Sequence, residues 1–149
     1  MFTDFERIEP DELRRRVEAA ELPPNLGAAI DQFAERHCDT IALSFFDDAV
    51  NLTWGQLREA TLKTASMLTG LGVRPGTHVA VMLPNVPAFP LTWLGLARIG
   101  AVMVPVNITY TPREVEYALA DSESQYLVIH AELLDHYHAI ENPPVPHSN

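Results

Sequence analysis

Apolar and polar positions change period several times along the chain, and the changes mark out its elements. Residues 78–83 (HVAVML), 101–106 (AVMVPV) and 126–129 (YLVI) are short, near-continuous apolar runs. Runs of that length suit strands covered on both faces of a parallel sheet. Helical spacing fills the intervals between them. Pro87 can open a helix that runs to about Ile99, with Phe89, Leu91, Trp93, Leu94, Leu96 and Ala97 all around it, as in a helix buried on more than one side. Thr111, Pro112 and Glu114 stand as N-cap, N1 and N3 of the next helix, a capping box with a proline-primed first turn. Val115, Ala118 and Leu119 are its apolar stripe. A last helix is expected over 131–140.

The first half reads differently. A short helix starts near Pro10 and is closed by Leu22-Pro23-Pro24-Asn25. Asn25 can cap a second helix (26–37), with Ile30, Phe33 and Ala34 at helical spacing. Residues 40–46 and 50–52 predict two strands of a hairpin turning at Asp47-Asp48. Thr53 and Gln56 form another capping box, opening a helix to about Leu71 on which Leu57, Thr61, Thr64, Leu68 and Leu71 share a face. Gly72 and Pro75-Gly76 supply the stop and the turn. The glycines at 70, 72 and 76 miss the dinucleotide-binding spacing by one and follow a helix rather than a strand. From residue 78 the order is strand, helix, strand, helix, strand, helix, which predicts right-handed crossovers in a mostly parallel α/β sheet. No internal repeat is present.

Composition narrows the function classes. A chain of 149 residues, 47% hydrophobic, suits one globular domain with a core. The net charge of −10 argues against a nucleic-acid partner. Of the basic residues only Lys63 is a lysine, and Arg14, Arg15 and Arg16 lie among Asp11, Glu12 and Glu18 as on a solvated helix face. The single Cys38 rules out an internal disulfide and fits a cytoplasmic setting. The N-terminal residues lack the apolar core of a signal peptide. From Val79 to Val106 the only charge is Arg98, a stretch long enough to cross a bilayer. Pro84, Asn85, Pro87, Pro90, Gly100 and Pro105 interrupt it, and lipid cannot satisfy the backbone groups they would free. No transmembrane span is expected.

No catalytic constellation emerges from the residues. His136 and His138 are two apart on a helix and point away from each other, so they would not share a metal. His37, His78, His130 and His147 are scattered, with His78 expected at the solvent end of its strand. Cys38 beside His37 is expected to be a partly buried structural thiol. Ser44, Ser66, Ser122, Ser124 and Ser148 lack the glycines of a nucleophile elbow. Asp121 to Ser124 reads as a helix-to-strand loop. Asn85 and Asn107 follow strand ends, where open parallel sheets collect ligands, although turn formation accounts for both.

Four segments carry a resemblance. Leu52-Thr-Trp-Gly-Gln-Leu57 and Leu96-Ala-Arg-Ile-Gly-Ala-Val-Met-Val-Pro-Val-Asn107 resemble the first and second core motifs of the adenylate-forming superfamily. Residues 71–89 resemble the strand and Leu-Pro-Asn-x-x-x-Phe stretch between those motifs, and 111–129 the segment after the second. The family comprises acyl-CoA synthetases, firefly-type luciferases and peptide-synthetase adenylation domains; the resemblance, over about 25–134, is strongest to fatty-acid and carnitine-type CoA ligases. It implies 25–140 as part of the large N-terminal AMP-binding domain, while the residues themselves read as a helical extension over 1–24 and a disordered tail over 141–149. It also implies ATP, Mg²⁺ and CoA as cofactors of the full-length enzyme, a carboxylic acid substrate, and the remainder of the ligase polypeptide as partner. The family's phosphate loop, aromatic-Thr-Glu motif, ribose-binding Asp and catalytic lysine match nothing in these residues, Lys63 included. Gly100, Pro105 and Asn107 match the second motif as structural residues. The resemblance therefore assigns no catalytic, cofactor-binding or metal residue here. It implies an N-terminal piece of an acyl-CoA ligase, inactive alone; the other reading is a free-standing, non-catalytic α/β binding module built on that scaffold.

Overall fold

The computed structural model describes residues 9–46, 49–141 and 143–145. Helices α1 (Pro10–Ala19) and α2 (Leu26–His37) come first, followed by an antiparallel hairpin of β1 (Ile41–Phe45) and β2 (Val50–Thr53). Then come α3 (Trp54–Gly70), β3 (His78–Met82), α4 (Ala88–Ile99), β4 (Val102–Pro105), α5 (Pro112–Asp121) and β5 (Tyr126–Ile129). A 3₁₀ turn (Ala131–Leu133) and α6 (Leu134–His138) replace the single helix expected over 131–140. The expected Asp47-Asp48 turn lies outside the described residues.

Local chemistry starts and stops these elements where the sequence suggests. Asn25 accepts from the Ala28 amide at 2.8 Å, and both capping boxes are closed in both directions. Each such cap satisfies amides that the helix cannot satisfy itself. Helix α4 ends at Gly100, whose φ of +80° is left-handed backbone that a side chain would strain.

The sheet order is β4-β3-β5, all parallel. The chain moves one way from β3 to β4 and back past β3 to reach β5. Two crossovers of one hand then require α4 and α5 to lie on opposite faces. The burial obeys this through the alternation of β3. Val79 and Val81 pack with Leu68, Val73, Leu83 and Leu96 on the face of α3 and α4. Ala80 and Met82 pack with Val106, Val115, Leu119, Tyr137 and Ile140 on the face of α5 and α6.

Several side chains depart from the sequence reading. The outer strands are half-buried rather than buried, and Val102 is exposed, because β4 and β5 are the edges of the sheet. Leu71 is exposed because it is the C-cap residue of α3, after which the chain turns at Gly72. Cys38 is exposed instead of partly buried: it follows the end of α2. Its Sγ lies over Gly55, where a β-carbon would come within 2.5 Å. Of the residues read as tail, Val145 is buried in the α5–α6 core and its carbonyl accepts from the Tyr137 hydroxyl. Burial pushes the Tyr137 phenol up, against the effect of that bond. Residues 142 and 146–149 of that segment lie outside the described residues. Among the described residues no helix is long and apolar enough to cross a membrane.

Candidate functional site

The carboxyl edge of the parallel sheet is where this topology would place a ligand. After β3 the chain leaves for one face, and after β4 for the other. The two loops diverge there, and such a divergence is the usual ligand position in open α/β sheets. Asn85 and Asn107 both sit on this edge.

The structure gives the two asparagines different duties. Asn107 Oδ1 accepts from both the amide and the hydroxyl of Thr109, each at 3.0 Å. The Tyr110 amide donates to its carbonyl at 3.1 Å. It is a turn former that shapes the loop into α5. Thr111 then closes its box: Glu114 Oε2 accepts from the Thr111 amide and hydroxyl, each at 2.8 Å. Those two bonds, the amide foremost, hold the Glu114 carboxyl below its ordinary range. His136 steadies the same loop by donating from Nδ1 to the Tyr110 carbonyl at 3.2 Å. Asn85 is exposed and borders a groove of about 450 Å³ with Leu43, Phe45, Phe46, Phe89 and Trp93.

That groove is aromatic and carries no charged residue. Its hydroxyl, Ser44 Oγ, donates to Asn51 Oδ1 at 2.7 Å. It can shelter an apolar group and has no base to activate a nucleophile. The remaining residues considered from sequence lie elsewhere. Lys63 pairs with Glu59 on the exposed side of α3. The histidine at the start of β3, His78, donates from Nδ1 to the Ser122 carbonyl at 2.6 Å, on the opposite, amino edge. Ser122 and Ser124 share a hydroxyl bond of 2.7 Å in the α5–β5 loop. Gly100 is the C-cap of α4, and Pro105 ends β4 at the carboxyl edge, two residues before Asn107. Among the described residues, no three of His, Cys, Asp and Glu group closely enough to hold a metal.

Sequence reasoning missed one polar centre. Arg98, the lone charge in the long apolar run, has a side chain only 8% exposed. Its Nε donates to Thr61 Oγ1 at 2.9 Å, and its two terminal nitrogens grip both oxygens of Asp31 at 3.2 and 2.8 Å. Arg58 adds a third bond to Asp31 at 3.1 Å. The Arg98 bonds are the main reason the Asp31 carboxyl lies below its usual range, against an opposing effect of burial. The available signal was Arg98 itself: a charge that cannot leave an apolar helix must find a partner.

With the geometry in hand, known proteins supply the comparison. Residues 30–148 match the profile described as AMP-binding enzyme. A crotonobetaine/carnitine–CoA ligase of Salmonella paratyphi A is 35% identical over 120 residues, which is 78% of this chain and 23% of the relative. The N-terminal domain of FACL13 from Mycobacterium tuberculosis superposes with a TM-score of 0.75 at 31% identity, over 80% of this chain and 31% of that one. The anthranilate CoA ligase AuaEII, solved with anthranoyl-AMP, gives 0.73 at 25% identity, over 83% and 23%.

Proposed function

Because the chain belongs to the AMP-binding enzyme family, we propose that its residues form the opening βαβαβ portion of the N-terminal domain of an ATP-dependent acyl-CoA ligase. Such an enzyme joins a carboxylate to the α-phosphate of ATP, releases pyrophosphate, and passes the acyl group from the adenylate to the thiol of CoA. The observation that carries the reading is the match to CoA ligases in both sequence and backbone across four-fifths of this chain. The chain spans 23% of the length of that curated relative.

The division of labour follows from the side chains. The carboxyl edge offers two shaped loops and an aromatic groove; of the charged groups there, Glu114 is held in its capping box and the exposed Arg113 stands beside it at the start of α5. Adenylation needs reactants held in line and negative charge stabilised as it moves. In this reading those duties fall to other parts of the ligase, where ATP, Mg²⁺ and CoA would bind. Residues 1–149 supply the scaffold: Asn107, Thr111 and Glu114 fix the loop after β4, and Gly100 lets α4 turn into that strand. We place the enzyme in the cytoplasm, its substrate a carboxylic acid, with 1–24 as an extension ahead of the domain.

One observation favours the second reading, a free-standing binding module. No buried side-chain nitrogen or oxygen among the described residues lacks a partner, so no buried polar group there calls for one from another part of a longer chain. The coding sequence past codon 149 separates the readings. A frame that continues into a Gly/Ser/Thr-rich loop with a lysine, and whose product shows acid-dependent ATP–pyrophosphate exchange, supports the ligase. A stop codon there, with a stable 149-residue product in the cell, supports the module.

A further inference from the structure

We infer that Arg98 and Arg58 form a preorganised seat for a small carboxylate, which Asp31 fills in this conformation to latch α2 onto α3 and α4. The seat and its occupant come from different elements. Thr61 is buried, and its hydroxyl donates to the Arg58 carbonyl at 3.0 Å while accepting from Arg98 Nε. This fixes the Arg98 guanidinium from behind without help from α2. Its terminal nitrogens present a two-pronged fork, the geometry that binds carboxylates best, and Arg58 supplies a second positive charge from the same helix as Thr61.

Among the described residues Asp31 is the carboxylate paired with this fork, and it reaches it from α2. The approach needs Gly27, where a β-carbon would press on the Arg98 stem at 3.1 Å. Among the described residues the ion pairs at the seat join Asp31 from α2 to Arg58 from α3 and Arg98 from α4, while Glu35, Asp39 and Glu59 line a groove on another side of Arg58. Asp31 is about one-third exposed, whereas Arg98 is almost wholly buried. A cavity of about 570 Å³ borders both, lined also by Asn25, Ser66 and Thr69. A free carboxylate therefore has a route to the fork once Asp31 is withdrawn. It also has a driving force, because a buried guanidinium left without its partner is unfavourable. The seat lies toward the amino edge of the sheet, since α4 runs back from the carboxyl edge and Arg98 is in its last turn. It is therefore separate from the candidate ligand edge, and the inference does not rest on the ligase reading.

The test is chemical rescue of Asp31→Ala in the 149-residue chain. Amide exchange over α2 and thermal unfolding are followed at neutral pH as sodium formate is added, with sodium chloride at equal ionic strength as the control. Without formate, α2 protection should fall by about tenfold or more as the buried pair is lost. Formate should restore it along a saturable curve and chloride should not. The wild-type chain and Asp31→Ala/Arg98→Met should show no saturable response. If Asp31→Ala does not fold, recovery of its near-ultraviolet circular dichroism on adding formate becomes the readout. A folded Asp31→Ala that ignores formate, an unfolded one that no formate concentration recovers, or equal rescue without Arg98 would each overturn the inference.

Discussion

Replacing Gly95 with alanine probes a close contact between α4 and α3. A β-carbon there would lie 2.7 Å from Thr64 Cγ2, 3.0 Å from Thr64 Cβ and 3.3 Å from the Ala65 amide nitrogen. Carbon atoms rest at about 3.5–4.0 Å, so the overlap with the Thr64 methyl is about 1 Å. Thr64 Oγ1 donates to the Ala60 carbonyl at 3.0 Å, and turning the methyl aside would break that bond. The helices must separate or the rotamer must strain, which in a packed core costs about 1–3 kcal/mol. Against this, alanine is favoured over glycine inside a helix by about 1 kcal/mol. The net is a loss of about 1 kcal/mol, which lowers Tm by about 2–4 °C in a chain of this size. Differential scanning calorimetry of Gly95→Ala, Thr64→Ala and the double variant measures it. Removing Cγ2 should recover much of the loss, leaving a favourable coupling of about 1 kcal/mol. A higher Tm for Gly95→Ala, or additive effects of the two changes, would refute the reasoning.

Other changes follow from the two-faced core and its polar ties. Leu96 and Leu119 are both inaccessible to solvent on opposite faces of the sheet. Each truncation to alanine should cost about 2–5 kcal/mol in urea unfolding, and the two costs should add. Thr111→Ala should cost about 1 kcal/mol and let the Glu114 carboxyl rise toward its ordinary value in a carbon-13 titration. The Asp31 carboxyl is depressed in the folded chain. Its contribution is therefore present above the unfolded value of about 3.9 and is lost as pH falls from there through the folded value. Tm measured over that acid range should drop less steeply in Asp31→Asn than in wild type.

What was legible in the sequence was local. Both capping boxes, the Asn25 cap and the Gly72 stop depend on residues within a few positions of each other, and the structure has them as read. The near-continuous apolar run of β3 correctly gave a strand covered on both sides. The same argument overstated burial for β4 and β5, because periodicity does not say which strands will be edges. Arg98 and Asp31 are 67 positions apart, and their pairing depends on how three helices cross. The packing of Val145 likewise depends on α5, α6 and β3 coming together, which only the folded chain has. At the carboxyl edge, Asn107 was already better explained by its turn than by a ligand, and its bonds to Thr109 agree. The groove beside Asn85 was not legible, since it joins the β1–β2 hairpin to the first turns of α4.

The central claim is that these residues carry the scaffold of an acyl-CoA ligase and none of its adenylation chemistry. Labelled pyrophosphate exchange into ATP, run with the 149-residue chain, Mg²⁺ and a panel of short, medium and long carboxylic acids, tests it most directly. Positioning and charge stabilisation carry most of the rate in phosphoryl chemistry, and each ~1.4 kcal/mol lost is tenfold. The account predicts no exchange above a blank without protein for any acid. Exchange well above that blank, retained after repurification from host ligases, would mean that residues assigned here to the scaffold bind and activate ATP, and would contradict it.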